Sequence, residues 1–557
     1  MKPLPRLMQR RVAALFVPTA LALAACGGSD DPAAAAPPTP APLSIGGTAT
    51  DGAAIAGGSV DAACASGTGN AATGSDGGYA LEIEGGALPC SLRVTSVDGK
   101  TVLHSAATGS GHSARANLTP ATELTMAQLH GRIPADVHAA FGADTQRATT
   151  AEAVQPAADA VVRMFADAGI ALSGNPVSDA LAIGDANDRA LDTMKANLDA
   201  SGTTLASVVQ AVVSAVSGKP PANAGPSLPA ASLLAAAASN CAALRSGKYR
   251  LVFFSPSGGA GVSTDTVTLD APTLAVTSAD GSEKSRLSAA GACRYTLPNG
   301  GEMAVSSAGV LAFRSLEDGS WRGGIGFAEQ EHPLSVFTGT WNVIGLADTE
   351  GNGRVHVHAG KLVVDTDGKA TEDLYCGNLR DCANETPGPR MVFTRNADGS
   401  FGFDGSRAFA YRAGSGAVMV VVLDADGSLA LATPKAARTL PAIGSASRSV
   451  NLTINPQFMA PLAISDSEST TVSHAGDGQS YGRNAVIDFA TGVTRPETIQ
   501  INQILDGFIR RVPQQVTASD GRASNVSEWV GLTLRGMGFT AVALPSNNNL
   551  ILSVTKP

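Results

Sequence analysis

Aromatic residues make up only 4% of this 557-residue chain and charged residues only 16%. A surface that grips a polyanion needs a dense field of cations, and a formal charge of −9 supplies the opposite. Nucleic acid is therefore excluded as the expected partner, and anionic headgroups as the main one. After the N-terminal segment no apolar run approaches the length of about 18 residues that a membrane-crossing helix needs. Histidine runs out at His474, so any serine beyond it lacks the downstream histidine of the Ser, Asp, His hydrolase order. No complete metal-binding or cofactor motif is present, and no cofactor or metal is expected. With 44% hydrophobic residues, what is present is enough apolar material for folding, in a chain too long for one hydrophobic core.

Lys2, Arg6, Arg10 and Arg11 precede an apolar run from Val12 to Ala25, which is too short to span a bilayer, and Leu23-Ala24-Ala25-Cys26 follows. This stretch resembles the processing box of bacterial type II signal peptides. The resemblance implies that residues 1–25 are removed and that Cys26 becomes the first residue, carrying a diacylglycerol thioether and an N-acyl chain. Several acyl chains, at about 0.8 kcal/mol per buried methylene, make a lasting membrane anchor. Gly27 stands where an aspartate would resemble an inner-membrane retention signal, so the expected location is the outer membrane, on its periplasmic or surface-exposed face. Residues 26–42, rich in glycine, alanine and proline, read as a tether.

From residue 43 to 118 short strands alternate with Gly and Asp turns: Ser44-Ile45-Gly46-Gly47-Thr48, Ala56-Gly57-Gly58-Ser59-Val60 and Asp76-Gly77-Gly78-Tyr79. These motifs resemble the carboxypeptidase regulatory-like, or transthyretin-like, β-sandwich. That implies a spacer or adhesive module without chemistry. At Thr119-Pro120 the period changes: Thr119 suits an N-cap, Pro120 the first helical position, and Glu123 the start of a polar face. A second helix is expected from near Pro156 to Ala168. A third follows Leu205, Val208, Val209, Val212, Val213 and Val216 at helical spacing. Residues 119–218 are thus a helical domain, and the proline-rich run from Lys219 to Pro229 opens a linker placed at 219–239.

Residues 240–557 read as strand after strand, punctuated by Asp-Gly turns at Asp280, Asp318, Asp367, Asp398 and Asp426. Short connections mean antiparallel neighbours, hence one enlarged barrel or two small ones. Two strands look like barrel starts, Gly247-Lys248-Tyr249-Arg250 and Gly339-Thr340-Trp341-Asn342. The second resembles the Gly-x-Trp first strand of lipocalins and other calycins. The fold class is accordingly multidomain and mainly β: an N-terminal β-sandwich, a central α-helical bundle and a large C-terminal antiparallel β-barrel region.

Six cysteines besides Cys26 form an even set in a compartment that permits disulfides. Neighbouring pairs within separate modules give Cys64 with Cys90, Cys241 with Cys293, and Cys376 with Cys382. Gly478-Gln479-Ser480-Tyr481-Gly482 fits the G-x-S-x-G nucleophile elbow, but polar residues precede it and a strand pattern follows. A polar loop is the preferred reading, with a secreted esterase using Ser480 as the alternative. His356 and His358 share a strand face without third or fourth metal ligands. Asp365-Thr366-Asp367-Gly368 and Asp185-Ala186-Asn187-Asp188 are fragments of calcium loops and read as a turn and a helix cap. The function expected is a non-catalytic binding or structural surface protein. Its partners are the membrane, through the lipid, and a small apolar ligand inside a barrel near Trp341, His356 and His358, with a plug closing the barrel floor as the preferred reading of Trp341 and the wet face of a strand as that of the two histidines. Cys26→Ser should abolish labelling with radioactive palmitate and release the protein from the membrane fraction. A variant that still labels and sediments with membranes would contradict lipidation.

Overall fold

The computed structural model describes residues 41–216, 228–254, 263–317, 320–330, 332–347, 356–377, 379, 381–388, 391–423, 429–454 and 461–556. The expected signal segment, Cys26, nearly all of the tether, residues 219–227 of the linker, and the Asp318 and Asp426 turns lie outside them. Residues 42–557 belong to one compact unit, in which mainly antiparallel β modules surround a small set of helices.

The first module is a β-sandwich. Leu43–Thr48 is the middle strand of a three-stranded sheet, and Ser59–Ser66, Thr68–Ala72, Ala87–Thr95 and Val102–Ala107 make the other sheet. Alternation of Leu81 and Ile83 with Glu82 and Glu84 sends every second side chain into the core between the sheets. Gly77 has φ 77°, and a Cβ there would lie 2.4 Å from the carbonyl oxygen of Ala49, so this turn admits only glycine. Cys64 and Cys90 face each other directly across two strands and are disulfide-bonded.

Helix Pro120–His130 begins as the capping pattern predicts, with Thr119 Oγ1 accepting from the Thr122 amide. It then departs from the expected amphipathic form. Pro120 through Leu129 are all buried, because one side of the helix meets strand Val102–Ala107 and the others meet Ala151–Asp167 and Leu205–Val216. Glu123 is therefore not the start of a wet face. Its Oε2 accepts from the His104 backbone amide at 2.6 Å and lies 2.8 Å from the His104 ring nitrogen Nδ1. The second helix starts earlier than expected, at Ala151, because Thr150 caps it. The expected linker is partly structural. Leu228–Leu234 is a helix, and Ala230, Ala231 and Leu234 join the helical core. Arg245 then ties that core to the β region, donating to the carbonyls of Leu233 and Ala235 at 3.0 Å and to Thr203 Oγ1 at 2.8 Å.

Both expected barrel starts open a nine-stranded meander, and the two meanders share one topology. In the first, Gly247–Phe254 pairs with its successor Ser263–Asp270 and also with the last strand, Ser320–Ala328. In the second, Gly339–Ala347 pairs with His356–Val364 and with the last strand, Leu429–Pro434. Pairing of first with last strand rolls each sheet on itself, and only the ladder between the fourth and fifth strands is absent. In the first meander those strands, Lys284–Arg286 and Ser288–Gly291, are separated by Leu287 alone. In the second, residues 386–393 bridge Asp381–Glu385 to Thr394–Arg395, and Phe393 donates its amide to Gly368 O at 2.9 Å. Disulfides join Cys241 to Cys293 and Cys376 to Cys382.

A third β unit, which neither expected start marks, is a closed barrel of eight strands from Ala446–Ile454 to Asn549–Thr555. Its apolar residues point outward on one side. Val450, Leu452, Phe508, Val530, Phe539 and Leu552 share a core with Val252 and Phe327 of the first meander and Ile344 and Leu431 of the second. The opposite faces of the same strands therefore line the lumen, and that face carries Asn451, Thr453, Ser467, Thr540 and Ser553 together with an apolar cluster of Tyr481, Ile499, Ile501, Ile509 and Trp529. Within it, Glu497 is 2% exposed and bonded to Arg483 at 2.7 Å, Arg495 at 2.7 Å and Arg511 at 2.9 Å. Burial pushes its pKa up, but the Arg483 and Arg511 guanidiniums more than offset this and hold the carboxyl below its ordinary range. Glu497→Ala leaves three guanidiniums without their shared anion and should destabilise the fold by roughly 3–5 kcal/mol. Urea denaturation of the full chain checks this, and an unchanged midpoint would contradict it.

Candidate functional site

The second meander buries both of its faces. Along Val418–Leu423, Met419, Val421 and Leu423 enter the core shared with the barrel, while Val418 and Val420 turn to the inner face. Such a strand reads in sequence as an unbroken apolar run. On the inner face the rolled sheet encloses a cavity of about 410 Å³. Trp341 and Val343 of the first strand, His358 and Gly360 of the second and Tyr375 of the third line one wall. Val343, Gly360 and Tyr375 are consecutive neighbours across the sheet, and a Cβ at Gly360 would lie 2.6 Å from the carbonyl oxygen of Leu374, so glycine lets the two strands approach closely there.

Aromatic rings close one end. Phe337, from a 3-10 turn just before the first strand, stacks on Phe393 at 4.0 Å with 7° between planes, and Phe393 stacks on Phe403 at 4.2 Å. Trp341 is 4% exposed, and its indole N–H donates to Phe337 O at 2.6 Å. The ring thus belongs to the packed end and also to the cavity wall. Phe337 and Phe393 come from connections rather than strands, and no period in the sequence marks them.

His358 is 8% exposed, its ring lies against Tyr375 at 5.3 Å, and its Nδ1 has no hydrogen-bond partner. Burial pushes its pKa down to about 4, so it is a neutral, unpartnered polar group in an apolar wall. Asp373, half-buried at the mouth, behaves oppositely: burial first, then Glu385 and Asp404, push its pKa up to about 6. Glu385 is its partner on the next strand, and Asp404 lies in the Phe403 to Ser406 turn on the other half of the sheet. The Asp404-Gly405 dipeptide is a signal of the same kind as the other Asp-Gly turns and was open to the same reading; Asp373 has none.

Of the sequence candidates, the structure brings Trp341 and His358 together and leaves His356 out. His356 Nδ1 lies 3.3 Å from Asn548 Nδ2 of the barrel, away from the cavity. Ser480 is not on a strand-to-helix elbow. It starts barrel strand Ser480–Asp488, is 7% exposed, and its Oγ donates to Asp477 Oδ2 at 2.7 Å, while His474 Nε2 is engaged with Pro441 O at 2.7 Å. Asp365 Oδ1 accepts the amides of Asp367 and Lys369, and Asp185 accepts the amide of Asp188 at a helix start, as a turn and a cap do. Among the described residues no three His, Cys, Asp or Glu side chains converge closely enough to hold a metal ion. Larger clefts of about 730 and 930 Å³ lie between modules. Their charged groups are satisfied by one another, as Arg250 is by Glu329 and Arg407 by Asp398, or by backbone carbonyls, as Arg245 is. The aromatic cavity leaves a buried polar atom, His358 Nδ1, without a hydrogen-bond partner.

No protein-family model and no curated protein matches the chain. Solved structures align weakly. A protein of unknown function of the DUF3598 family from Nostoc punctiforme is 11% identical, with 41% of this chain and 99% of that one covered and a TM-score of 0.15. The vaccine antigen transferrin binding protein B of Haemophilus parasuis is 10% identical over 55% of this chain and 75% of that one, TM-score 0.17. Immune modulator A of Aeromonas veronii is 9% identical over 56% and 94%, TM-score 0.17. At such TM-scores the alignments carry no argument about what this chain does.

The buried neutral histidine sets a pH dependence. An unfolded imidazole near pKa 6.5 takes up a proton that folded His358 refuses until about 4, so lowering the pH through that window favours the unfolded state. His358→Gln should flatten the fall in stability across that window, as measured by urea midpoints at successive pH values. Parallel profiles for variant and parent would contradict the assignment.

Proposed function

We propose that this chain is a non-catalytic binding protein of the bacterial cell envelope that holds a small, largely apolar ligand inside the second meander. The observation that carries the reading is the aromatic-walled cavity in whose wall the buried His358 Nδ1 has no hydrogen-bond partner. An apolar enclosure with one or two placed polar groups suits recognition of a small molecule by shape and a single hydrogen bond. Attachment to the outer membrane through lipidated Cys26 belongs to the same reading, and the lipobox-like sequence supports it. The sandwich and the helices then act as a rigid spacer between tether and binding unit. Catalysis is not part of the proposal, since Ser480 starts a barrel strand and its hydroxyl is held by Asp477 in the turn before it rather than by an imidazole.

The test is binding of Nile red, a neutral dye whose emission shifts to the blue in an apolar site, to the full chain. Saturable binding is expected. Ala430→Phe, which puts a ring on the cavity wall, should weaken it at least tenfold while leaving the near-ultraviolet circular dichroism unchanged. Equal binding by parent and variant would place the dye elsewhere and defeat the assignment of this cavity.

A further inference from the structure

We infer that the ligand of this cavity is an organic cation, with its apolar body among the rings and its ammonium group at the mouth between Asp373 and Asp404. The inference rests on the proposed binding role and narrows its chemistry. Asp373 and Asp404 both line the cavity, one on each half of the sheet, on the two sides of the missing ladder. Asp373 is two residues from Tyr375 on the same strand face, and Asp404 directly follows Phe403, so each carboxylate stands beside an aromatic ring. A cation at that place meets a carboxylate on each side and the face of a ring, the combination that binds ammonium groups.

Three further observations support a large cation. Glu385, opposite Asp373 on the adjacent strand, adds a third negative charge at the mouth. Lys361, a cation that lines the cavity, is occupied with Glu372 at 2.8 Å. Among the described residues the carboxylates do not converge closely enough to hold a metal ion. At the inner end, His358 is neutral and unpartnered, so it offers a hydrogen bond without an opposing charge.

The experiment compares two isosteric probes on the full chain by calorimetry: phenyltrimethylammonium, which is cationic, and tert-butylbenzene, which is neutral. The cation is expected to bind at least tenfold more tightly. Asp373→Asn should remove most of that preference. Asp404→Asn, at an exposed turn where asparagine tolerates the positive φ of 49°, should act in the same direction even if the Asp373 variant folds poorly. Lowering the pH from about 7 to 5 protonates Asp373, whose pKa is about 6, and should cost the cation up to about tenfold. His358 stays neutral over that range, and Glu385, Asp404 and the Lys361–Glu372 pair are the other charged groups around Asp373. Equal affinity for both probes, or tighter binding of the neutral one, overturns the inference and leaves the apolar cavity standing. Failure of both probes and of Nile red overturns the binding reading together with it.

Discussion

Pairing of the first strand of each meander with its last is the constraint on which the β region depends. Once Gly339–Ala347 accepts Leu429–Pro434 as a neighbour, the nine strands must roll, and a rolled sheet has an inside. Inside and outside must then both find partners. The outer face does so against the closed barrel and the other meander, in a core that no single module completes. The inner face closes on itself with rings brought in by connections. Cavity and core are thus consequences of one hydrogen-bonded ladder, and the alternation of side chains along each strand divides the apolar residues between them.

The same logic explains the closed barrel. Its strands alternate as strictly as those of the meanders, with valine, leucine and phenylalanine outside along the buried wall and, inside, serine, threonine and asparagine beside an apolar cluster of Tyr481, Ile499, Ile501 and Trp529. A lumen lined by such residues tolerates the Glu497 ion cluster because each charge has an opposite partner within hydrogen-bonding distance. The apolar wall is satisfied only because Ile344, Leu431, Val252 and Phe327 cover it.

Local signals in the sequence were legible where one residue decides a local conformation. Thr119 caps a helix, Gly77 and the Asp-Gly pairs turn hairpins, and the cysteines pair within their modules. The first strands of the two meanders were legible too, because each follows a glycine and carries an aromatic at its third position. What sequence does not encode locally was missed. Glu123 looks like the edge of a polar face, and only the placement of His104 by a different sheet explains its burial. The period-two pattern of a strand states that its faces differ without stating which face is inside, so the outward apolar wall of the last barrel was hidden. The site was half visible: Trp341 and His358 sit on regular strands, whereas Phe337 and Phe393 reach the cavity from connections, and Asp373 acquires its character from Glu385 and Asp404.

The outward-facing apolar wall of the barrel has a consequence for how this architecture can change over generations. A module with its own sealed core can be lost, shuffled or appended without harm to its neighbours. Residues 446–556 have no such independence: excised, they would present Val450, Leu452, Phe508, Phe539 and Leu552 to water as one sticky strip, and the meanders left behind would be bared in turn. The three β units are therefore bound to be inherited together, and variation is free to accumulate in the turns and in the cavity that only one of them encloses.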